Sequence, residues 1–171
     1  MLSGETAGGK FPVESVATQR RICEEAENVI DYDSLFLRIR TNVMNHNPSG
    51  LATPEAICSA AVCLGSETNA SIIVAITETG STARLLAKFR PSQPILALSA
   101  SQYTMRSLSI VRGVWALQVP SFQGSDEVIH NALKHAKQMG YVRNGDRVIA
   151  VHGMKEDTPG AINVIKVIQV E

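Results

Sequence analysis

The chain lacks the features that define several large classes of proteins. Only three of its 171 residues are cysteines, and no two of them form a Cys-x-x-Cys pair, so no disulfide framework and no cysteine metal site is predicted. No apolar run approaches the roughly 18 residues that span a bilayer, and the N-terminus does not have the layout of a signal peptide. We therefore expect a cytoplasmic protein whose thiols, at Cys23, Cys58 and Cys63, are free and mostly buried.

An excess of charge of one sign is also missing. Lys plus Arg and Asp plus Glu both number 16, so neither nucleic acid nor an anionic membrane is expected as a partner. The sequence contains no P-loop, no nucleophile elbow and no metal-spaced histidine pair. With 44% hydrophobic and 19% charged residues, it predicts an ordinary globular chain that can bury a core.

The second half of the chain alternates apolar runs with helical patterns. The runs are Ile72 to Ile76, Ile95 to Leu98, Gly113 to Val119 and Arg147 to Val151. Such alternation predicts an α/β fold with a mostly parallel sheet and helices on both faces. A fifth run, Val164 to Val170, follows after only a loop, so it is predicted to return antiparallel. As an edge strand it would pair readily with another copy, so we expect an oligomer.

Helices are predicted for the first half of the chain. An interrupted apolar stripe runs from Pro12 to about residue 30, and the stretch Asp31 to Ser34 caps a second helix. A third helix begins with Thr53 at the cap and Pro54 at the first helical position.

The stretch most relevant to function is the segment Thr77 to Thr82, which we call the hydroxyl loop. It joins the strand Ile72 to Ile76 to a helix that begins near Ser81, through Thr77, Glu78, Thr79, Gly80, Ser81 and Thr82. A strand that turns into a helix leaves free backbone N–H groups at the positive end of the helix, and the hydroxyls add donors, so a phosphate could bind there. The alternative is that Ser81 or a neighbour only caps the helix.

Two further loops follow strand ends on the same side of the predicted sheet. They are Ser99 to Ser101 and His152 to Gly160. Because ligands of doubly wound sheets collect at the carboxyl ends of the strands, His152 and Lys155 could add positive charge to an anion at the hydroxyl loop. Acidic residues lie in the same segments, and a charged hairpin loop that is simply solvated is the alternative.

Several motifs of the sequence resemble pyruvate kinases. The opening Met-Leu-Ser-Gly-Glu-Thr-Ala-Gly-Gly-Lys-Phe-Pro resembles the segment that ends the catalytic barrel of that family. Thr-Glu-Thr-Gly-Ser-Thr-Ala-Arg, Lys-Phe-Arg-Pro and Lys-Gln-Met-Gly resemble its C-terminal domain, in the same order, and the apicomplexan type is the most similar. The resemblance implies two parts: residues 1–30 end the (β/α)8 barrel, and residues 31–171 form the regulatory and oligomerisation domain.

The resemblance also implies what the chain does not contain. In the family the catalytic lysine, the acidic Mg²⁺ ligands, the K⁺ site and the nucleotide pocket precede this segment, and only Ser3, Gly4 and Glu5 match the barrel mouth. The parent enzyme transfers a phosphoryl group from phosphoenolpyruvate to ADP. A fragment of this kind is expected to be inactive alone and to need no cofactor of its own.

For regulation, the resemblance implies a sugar phosphate effector. The hydroxyl loop matches the loop that holds the 6-phosphate of fructose 1,6-bisphosphate, and Gly153, Lys155 and Gly160 match the effector loop. The Trp and Arg that hold the other phosphate in activated relatives are missing from Ser121 to Val128, and Glu78 stands where some relatives have Lys. A monophosphate such as glucose 6-phosphate is therefore favoured over the bisphosphate.

Three functions remain open from the sequence. The first is a pyruvate kinase C-terminal part that binds an effector and assembles tetramers through its last strand. The second is a free-standing sugar phosphate-binding module that uses the same loops. The third is a purely structural oligomerisation domain with a vestigial effector site.

Overall fold

The structure, a computed structural model, describes residues 3–122, 124–153 and 162–171. The elements in this part of the chain are α1 (Gly4–Gly8), α2 (Pro12–Glu27), α3 (Tyr32–Asn45), α4 (Thr53–Glu67), β1 (Ile72–Ile76), α5 (Ser81–Lys88), β2 (Ile95–Ser99), α6 (Gln102–Leu108), β3 (Val114–Gln118), α7 (Ser125–Gln138), β4 (Arg147–Gly153) and β5 (Ile162–Gln169). None of the described helices is long and apolar enough to cross a membrane. Lys155 and Gly160, two of the predicted effector-loop residues, lie outside the described residues.

The strands form one sheet in the order β3-β2-β1-β4-β5. The first four are parallel, and β5 runs antiparallel to β4, which confirms the predicted fold class. The chain moves outward from β1 to β3 and then returns to β4 on the other side of β1. The strand order therefore reverses at β1, and the carboxyl ends of β1 and β4 flank the crevice in which sheets of this kind bind ligands.

Helices cover both faces of the sheet. This explains why the sequence of β1 does not alternate between apolar and polar residues. Ile73 and Ala75 pack into a cluster to which α3, α4, α5 and α6 contribute. Ile72 and Val74 point to the opposite face, where α7 supplies the packing residues. These four side chains are at most 2% exposed, so a strand covered on both faces requires a continuous apolar run.

The helices begin close to where the sequence predicts, with one correction to a predicted N-cap. Asp31 is the N-cap of α3, and its side chain accepts a hydrogen bond from the Ser34 amide at 3.0 Å. Thr53 is not the cap of α4, because the extended residue Ala52 occupies that position and no side chain caps the helix. Thr53 and Pro54 are the first two helical residues instead, where the missing N–H of proline costs nothing.

Helix α2 forms as predicted but buries none of its residues. Its apolar side chains Val13, Val16 and Ile22 are all more than half exposed. At its C-terminal end, Arg112 Nε donates to Glu27 Oε1 at 3.0 Å and Arg112 Nη2 donates to Tyr32 Oη at 3.0 Å. The helix is thus tied to the α/β part by a polar contact and leaves its apolar stripe in solvent.

All three thiols are free. Cys58 is buried and Cys63 is half-buried, as predicted, but Cys23 is exposed because it lies on the uncovered helix α2.

Candidate effector site

The hydroxyl loop is held in shape by its own first side chain. Thr77 is 4% exposed, and its hydroxyl accepts a hydrogen bond from the Gly80 amide at 2.9 Å. Gly80 adopts a positive φ of 85°, a conformation that costs a residue with a side chain roughly 1–2 kcal/mol. This turn brings the chain directly from β1 into α5.

Hydroxyls from the next strand and helix hold the middle of the loop. Thr104 Oγ1 donates to the Glu78 carbonyl at 2.7 Å, and Ser99 Oγ approaches the same oxygen at 3.4 Å. The sequence marked Ser99 as part of a strand-end loop but gave no role to Thr104. The sequence could have indicated Thr104, because it lies in the first turn of the helix after β2. A hydroxyl at that position lies close to the loop that follows the neighbouring strand β1.

The start of α5 offers backbone donors to an anion. Ser81, Thr82 and Ala83 are the first three residues of the helix, so their amides have no carbonyl in a preceding turn to bond. The N-cap is Gly80, the neighbour of Ser81, and no side chain caps the helix. Three amides at the positive end of a helix favour a phosphate oxygen over a neutral acceptor.

The six residues of the hydroxyl loop face in different directions. Thr79 and Glu78 are exposed and Ser81 is half-buried, with Thr79 Oγ1 donating to Ser81 Oγ at 3.2 Å. Thr77 and Thr82 are buried, at 4% and 2% exposed. Two hydroxyls therefore face the side from which a ligand would arrive, together with one carboxylate that would repel an anion.

The carboxyl end of β4 lies beside this loop. The parallel register pairs Ala75 with Val151, and the two strands end shortly after this pair, β1 at Ile76 and β4 at Gly153. The register between β4 and β5 shifts at the end of β4, where a β-bulge lies. His152 pairs with Val164, whereas Gly153 pairs with Ile162, so the pairing passes over one residue of β5. The fold thus brings Gly153 and the hydroxyl loop together at one edge of the sheet.

His152 is buried at this edge. It is 5% exposed, and its Nδ1 lies 3.0 Å from the Gly153 carbonyl oxygen. Its Nε2 is buried without a hydrogen-bond partner. The side chain follows Val148 and Ala150, which pack with α7, so the alternation of the strand places it on the α7 face.

The first turn of α7 brings acid to the same face. It carries Asp126 and Glu127, and Asp126 accepts a hydrogen bond from Lys166 of β5. The pKa of Asp126 is lowered, first by the hydrogen bond from Lys166, then by the charge of that lysine, and to a small extent by His152. His152 therefore lies within electrostatic reach of the first turn of α7.

A buried thiol lies beneath the hydroxyl loop. Cys58 of α4 contacts the Thr82 carbonyl at 3.9 Å. Burial, and to a lesser degree the charge of Glu55, raises its pKa to about 12. The thiol stays protonated at neutral pH and serves as a packing residue, not as a nucleophile.

The remaining predicted site residues lie elsewhere. Ser3 precedes α1, and Gly4 and Glu5 belong to that short helix, which contacts α2 and lies outside the sheet.

Comparison with known proteins identifies relatives along the whole chain. The family model "Pyruvate kinase, alpha/beta domain" matches residues 55–168. The pyruvate kinase of Eimeria tenella is 50% identical over 171 residues, which are 100% of this chain and 32% of that protein. The pyruvate kinase of Dictyostelium discoideum is 38% identical over 99% of this chain and 33% of its own length.

Solved structures agree with these relatives. The crystal structure of a pyruvate kinase from Cryptosporidium parvum superposes with a TM-score of 0.89 at 42% identity, covering 100% of this chain and 32% of that one. A complex of Cryptosporidium parvum pyruvate kinase with ADP gives a TM-score of 0.87 at 44% identity, covering 100% and 33%. This chain therefore spans about one third of the length of the proteins it matches.

The geometry of the hydroxyl loop predicts that Gly80 is required for two reasons. An added Cβ would meet Leu108 Cδ2 at 3.2 Å and Thr104 Cγ2 at 3.4 Å, and Leu108 is fully buried, so it has little room to move. Gly140 has a similar φ of 81° but nothing within 4 Å of its Cβ position. We expect Gly80→Ala to lower the free energy of unfolding by at least about 1 kcal/mol more than Gly140→Ala.

Urea denaturation of both variants and the unsubstituted chain measures this difference. Equal losses would show that only the backbone conformation matters and that the loop is not pressed against α6.

Proposed function

Because this chain belongs to the pyruvate kinase family and carries its α/β domain, we propose that it is the C-terminal part of a pyruvate kinase that binds a sugar phosphate and assembles subunits. The family is established by the match over residues 55–168. The apicomplexan resemblance expected from the sequence is confirmed by the Eimeria and Cryptosporidium relatives. In this proposal, residues 1–30 end the barrel and residues 31–171 form the regulatory domain.

The observation that carries effector binding is the start of α5. Three amides without intrahelical partners, two outward-facing hydroxyls and a rigid turn converge at the carboxyl end of β1. This edge is also the point where the strand order reverses, the usual ligand position in such sheets. A phosphate placed there would replace water on the amides without rearranging the loop, because hydrogen bonds already fix it.

Charge at this edge supports one phosphate over two. Glu78 is exposed beside the hydroxyl loop, and Asp126 and Glu127 lie in the first turn of α7. A second phosphate near α7 would meet these carboxylates without the Trp and Arg that the family resemblance associates with it. We therefore propose a sugar monophosphate, such as glucose 6-phosphate, in preference to fructose 1,6-bisphosphate.

Subunit assembly is proposed to use β5. It is an edge of the sheet, so one row of its backbone groups has no partner strand within the described chain. Val167, halfway along it, is 50% exposed. Antiparallel pairing of two β5 strands would continue the sheet from one copy into the next, and a tetramer follows if a second contact is made elsewhere in the parent.

The parent enzyme is proposed to transfer the phosphoryl group of phosphoenolpyruvate to ADP in the cytoplasm, with Mg²⁺ and K⁺ bound in the barrel. The exposure of α2 supports this placement, because its apolar side chains Val13, Val16 and Ile22 are more than half exposed and the rest of a barrel would cover such residues. The alternative of a purely structural domain is favoured by Glu78, whose carboxylate opposes an anion, and by the absence of a Trp and an Arg from Ser121 to Val128.

Removing that carboxylate tests the phosphate site. We expect Glu78→Gln to tighten binding of inorganic phosphate about two- to five-fold at low salt, and the gain to shrink near 1 M salt, because a nearby exposed charge is screened. Isothermal titration calorimetry measures both affinities. Glu14→Gln on the exposed helix α2 changes the net charge equally at a distant position, and an equal gain in that control would contradict a site at the hydroxyl loop.

Strand pairing is testable at Val167. The Val170 amide donates to Asp146 of the neighbouring chain segment, so residues of even number in β5 point their backbone groups at β4 and Val167 points its own outward. Val167→Pro therefore removes a donor only from the open edge. We expect a monomer with an unchanged unfolding midpoint, while Val167→Thr, which keeps the donor, remains associated.

Sedimentation equilibrium distinguishes these states. A monomeric unsubstituted chain at high concentration, or an associated Val167→Pro variant, would contradict assembly through β5.

The chain alone is expected to show no conversion of phosphoenolpyruvate and ADP in the presence of Mg²⁺ and K⁺. The reason is that catalysis of phosphoryl transfer depends on positioned metal ions and cations, and the resemblance places those groups upstream. A coupled assay for pyruvate measures this. Turnover above the buffer blank that scales with protein concentration would contradict the proposal that the catalytic groups lie upstream of this chain.

A further inference from the structure

One face of the sheet has fewer helices packed on it than the other. Among the described helices, α7 alone contributes to the cluster on its face, whereas α3, α4, α5 and α6 share the opposite one. A helix with its side chains is about 10 Å wide and strands lie about 4.8 Å apart, so one helix covers about two or three strands. The sheet has five strands, and part of the α7 face is therefore left without a helix above it.

A pocket lies where the cover by α7 ends. Its volume is about 210 Å³, whereas voids inside proteins seldom exceed the size of a water molecule. We call it the α7 pocket. Its walls include Ile72 of β1, Leu96 of β2, Leu117 of β3, Ala136 in the last turn of α7, and Tyr141.

The lining of the α7 pocket carries no full charge. None of the ten described residues that line it is Asp, Glu, Lys or Arg, and the polar side-chain atoms come from Trp115, His135 and Tyr141. An ion that entered would lose its hydration without gaining a charged partner, whereas a neutral apolar molecule would not pay this cost. The pocket therefore disfavours a sugar phosphate and favours a neutral ligand.

Aromatic side chains border the pocket. Trp115 and Tyr141 are 38% and 36% exposed, and their rings are in edge-to-face contact, one of the arrangements that aromatic rings prefer. Met139, which also lines the pocket, is 60% exposed, and thioethers make favourable contacts with aromatic rings. A planar ring in the pocket would replace water on these three side chains.

The size of the α7 pocket suits one small molecule. An apolar cavity of about 150 Å³ is large enough to bind benzene. About 210 Å³ therefore accommodates one ring with a short substituent, or two fused rings.

The α7 pocket is separate from the proposed phosphate site. Ile72, in its wall, is the first residue of β1, and the hydroxyl loop follows Ile76, the last residue of that strand. The pocket thus lies toward the amino end of the parallel strands, and the hydroxyl loop lies at their carboxyl end.

We propose that the α7 pocket is a binding site for a small neutral aromatic molecule. Apolar contacts with Leu96, Leu117 and Ala136 and ring contacts with Trp115 and Tyr141 hold the ligand. This inference goes beyond the proposed function and does not rest on it, because the position and the class of ligand both differ.

Tryptophan fluorescence tests the proposal at the pocket itself, because Trp115 is the only tryptophan of the chain. The probes are benzyl alcohol and benzoate, which share a ring and differ in charge. We expect benzyl alcohol to change the emission of the 171-residue chain saturably, and to bind at least about five-fold more tightly than benzoate. Equal affinities, or no saturable change with either probe, would overturn the proposal.

A second copy of the chain is the competing occupant, and the same measurement identifies it. In that case the emission of Trp115 would change with protein concentration and not with benzyl alcohol. This outcome would also overturn the proposal.

Filling the pocket tests where the ligand binds. Ala136 lines the pocket, whereas Ala132, one turn earlier in α7, belongs to the same packed cluster and does not line it. Both are at most 4% exposed. Ala136→Leu is expected to weaken benzyl alcohol at least about ten-fold with an unchanged or higher unfolding midpoint, because the added carbons enter the pocket. Ala132→Leu has no such space and is expected to lower the midpoint.

Two results of this comparison would contradict the proposal. An unchanged affinity of Ala136→Leu for benzyl alcohol would place the ligand elsewhere. Equally lowered midpoints for the two variants would show that the space beside Ala136 does not exist in solution.

A charge at the mouth tests the selectivity without a change in the core. Met139→Lys places an ammonium group at an exposed position of the pocket. We expect benzoate to bind about two- to five-fold more tightly at low salt, and benzyl alcohol to be unaffected. Val13→Lys adds the same charge at a position of α2 that is 74% exposed. An equal gain for benzoate in this control would show attraction by net charge alone and overturn the assigned position.

Discussion

The hydrogen bond from the Gly80 amide to the Thr77 hydroxyl is the contact on which the candidate site depends. It closes the turn between β1 and α5 and uses the amide at the N-cap, so that the next three amides remain for a ligand. Because the loop is also held from α6 through the Glu78 carbonyl, it needs no rearrangement to bind an anion. Preorganisation of this kind lowers the entropic cost of binding, which matters for a small ligand with few contacts.

Electrostatics at the same edge limit what can bind. In the proposed site, the backbone amides at the start of α5 favour one anionic group, while Glu78 and the acidic first turn of α7 oppose further negative charge.

The sequence predicted the sheet well because burial on both faces leaves a direct pattern. The run Ile72 to Ile76 became β1, and the short connection before the last strand required the antiparallel return of β5. The hydroxyl loop was also found, since threonine, glycine and serine between a strand and a helix have a known geometry. The direction of each hydroxyl was not predictable, because Thr82 turns inward through the helical period and Thr77 through its bond to Gly80.

Other features depend on tertiary contacts that have no local signal. His152 was considered a source of positive charge from its residue type alone, and the contact of its Nδ1 with the Gly153 carbonyl oxygen, beside a bulge, has no signal in the sequence. The exposure of Cys23 depends on what covers α2, and the periodicity of a helix does not show that. Thr53 was assigned as a cap because its residue type is common there, although the extended Ala52 takes that position.

The central claim is that a phosphate binds at the start of α5. A crystal of the chain soaked in phosphate tests it most directly. We expect tetrahedral density within hydrogen-bonding distance of the Ser81 and Thr82 amides and near the Thr79 hydroxyl. Ordered water at these amides, with phosphate density only at other positions, would contradict it.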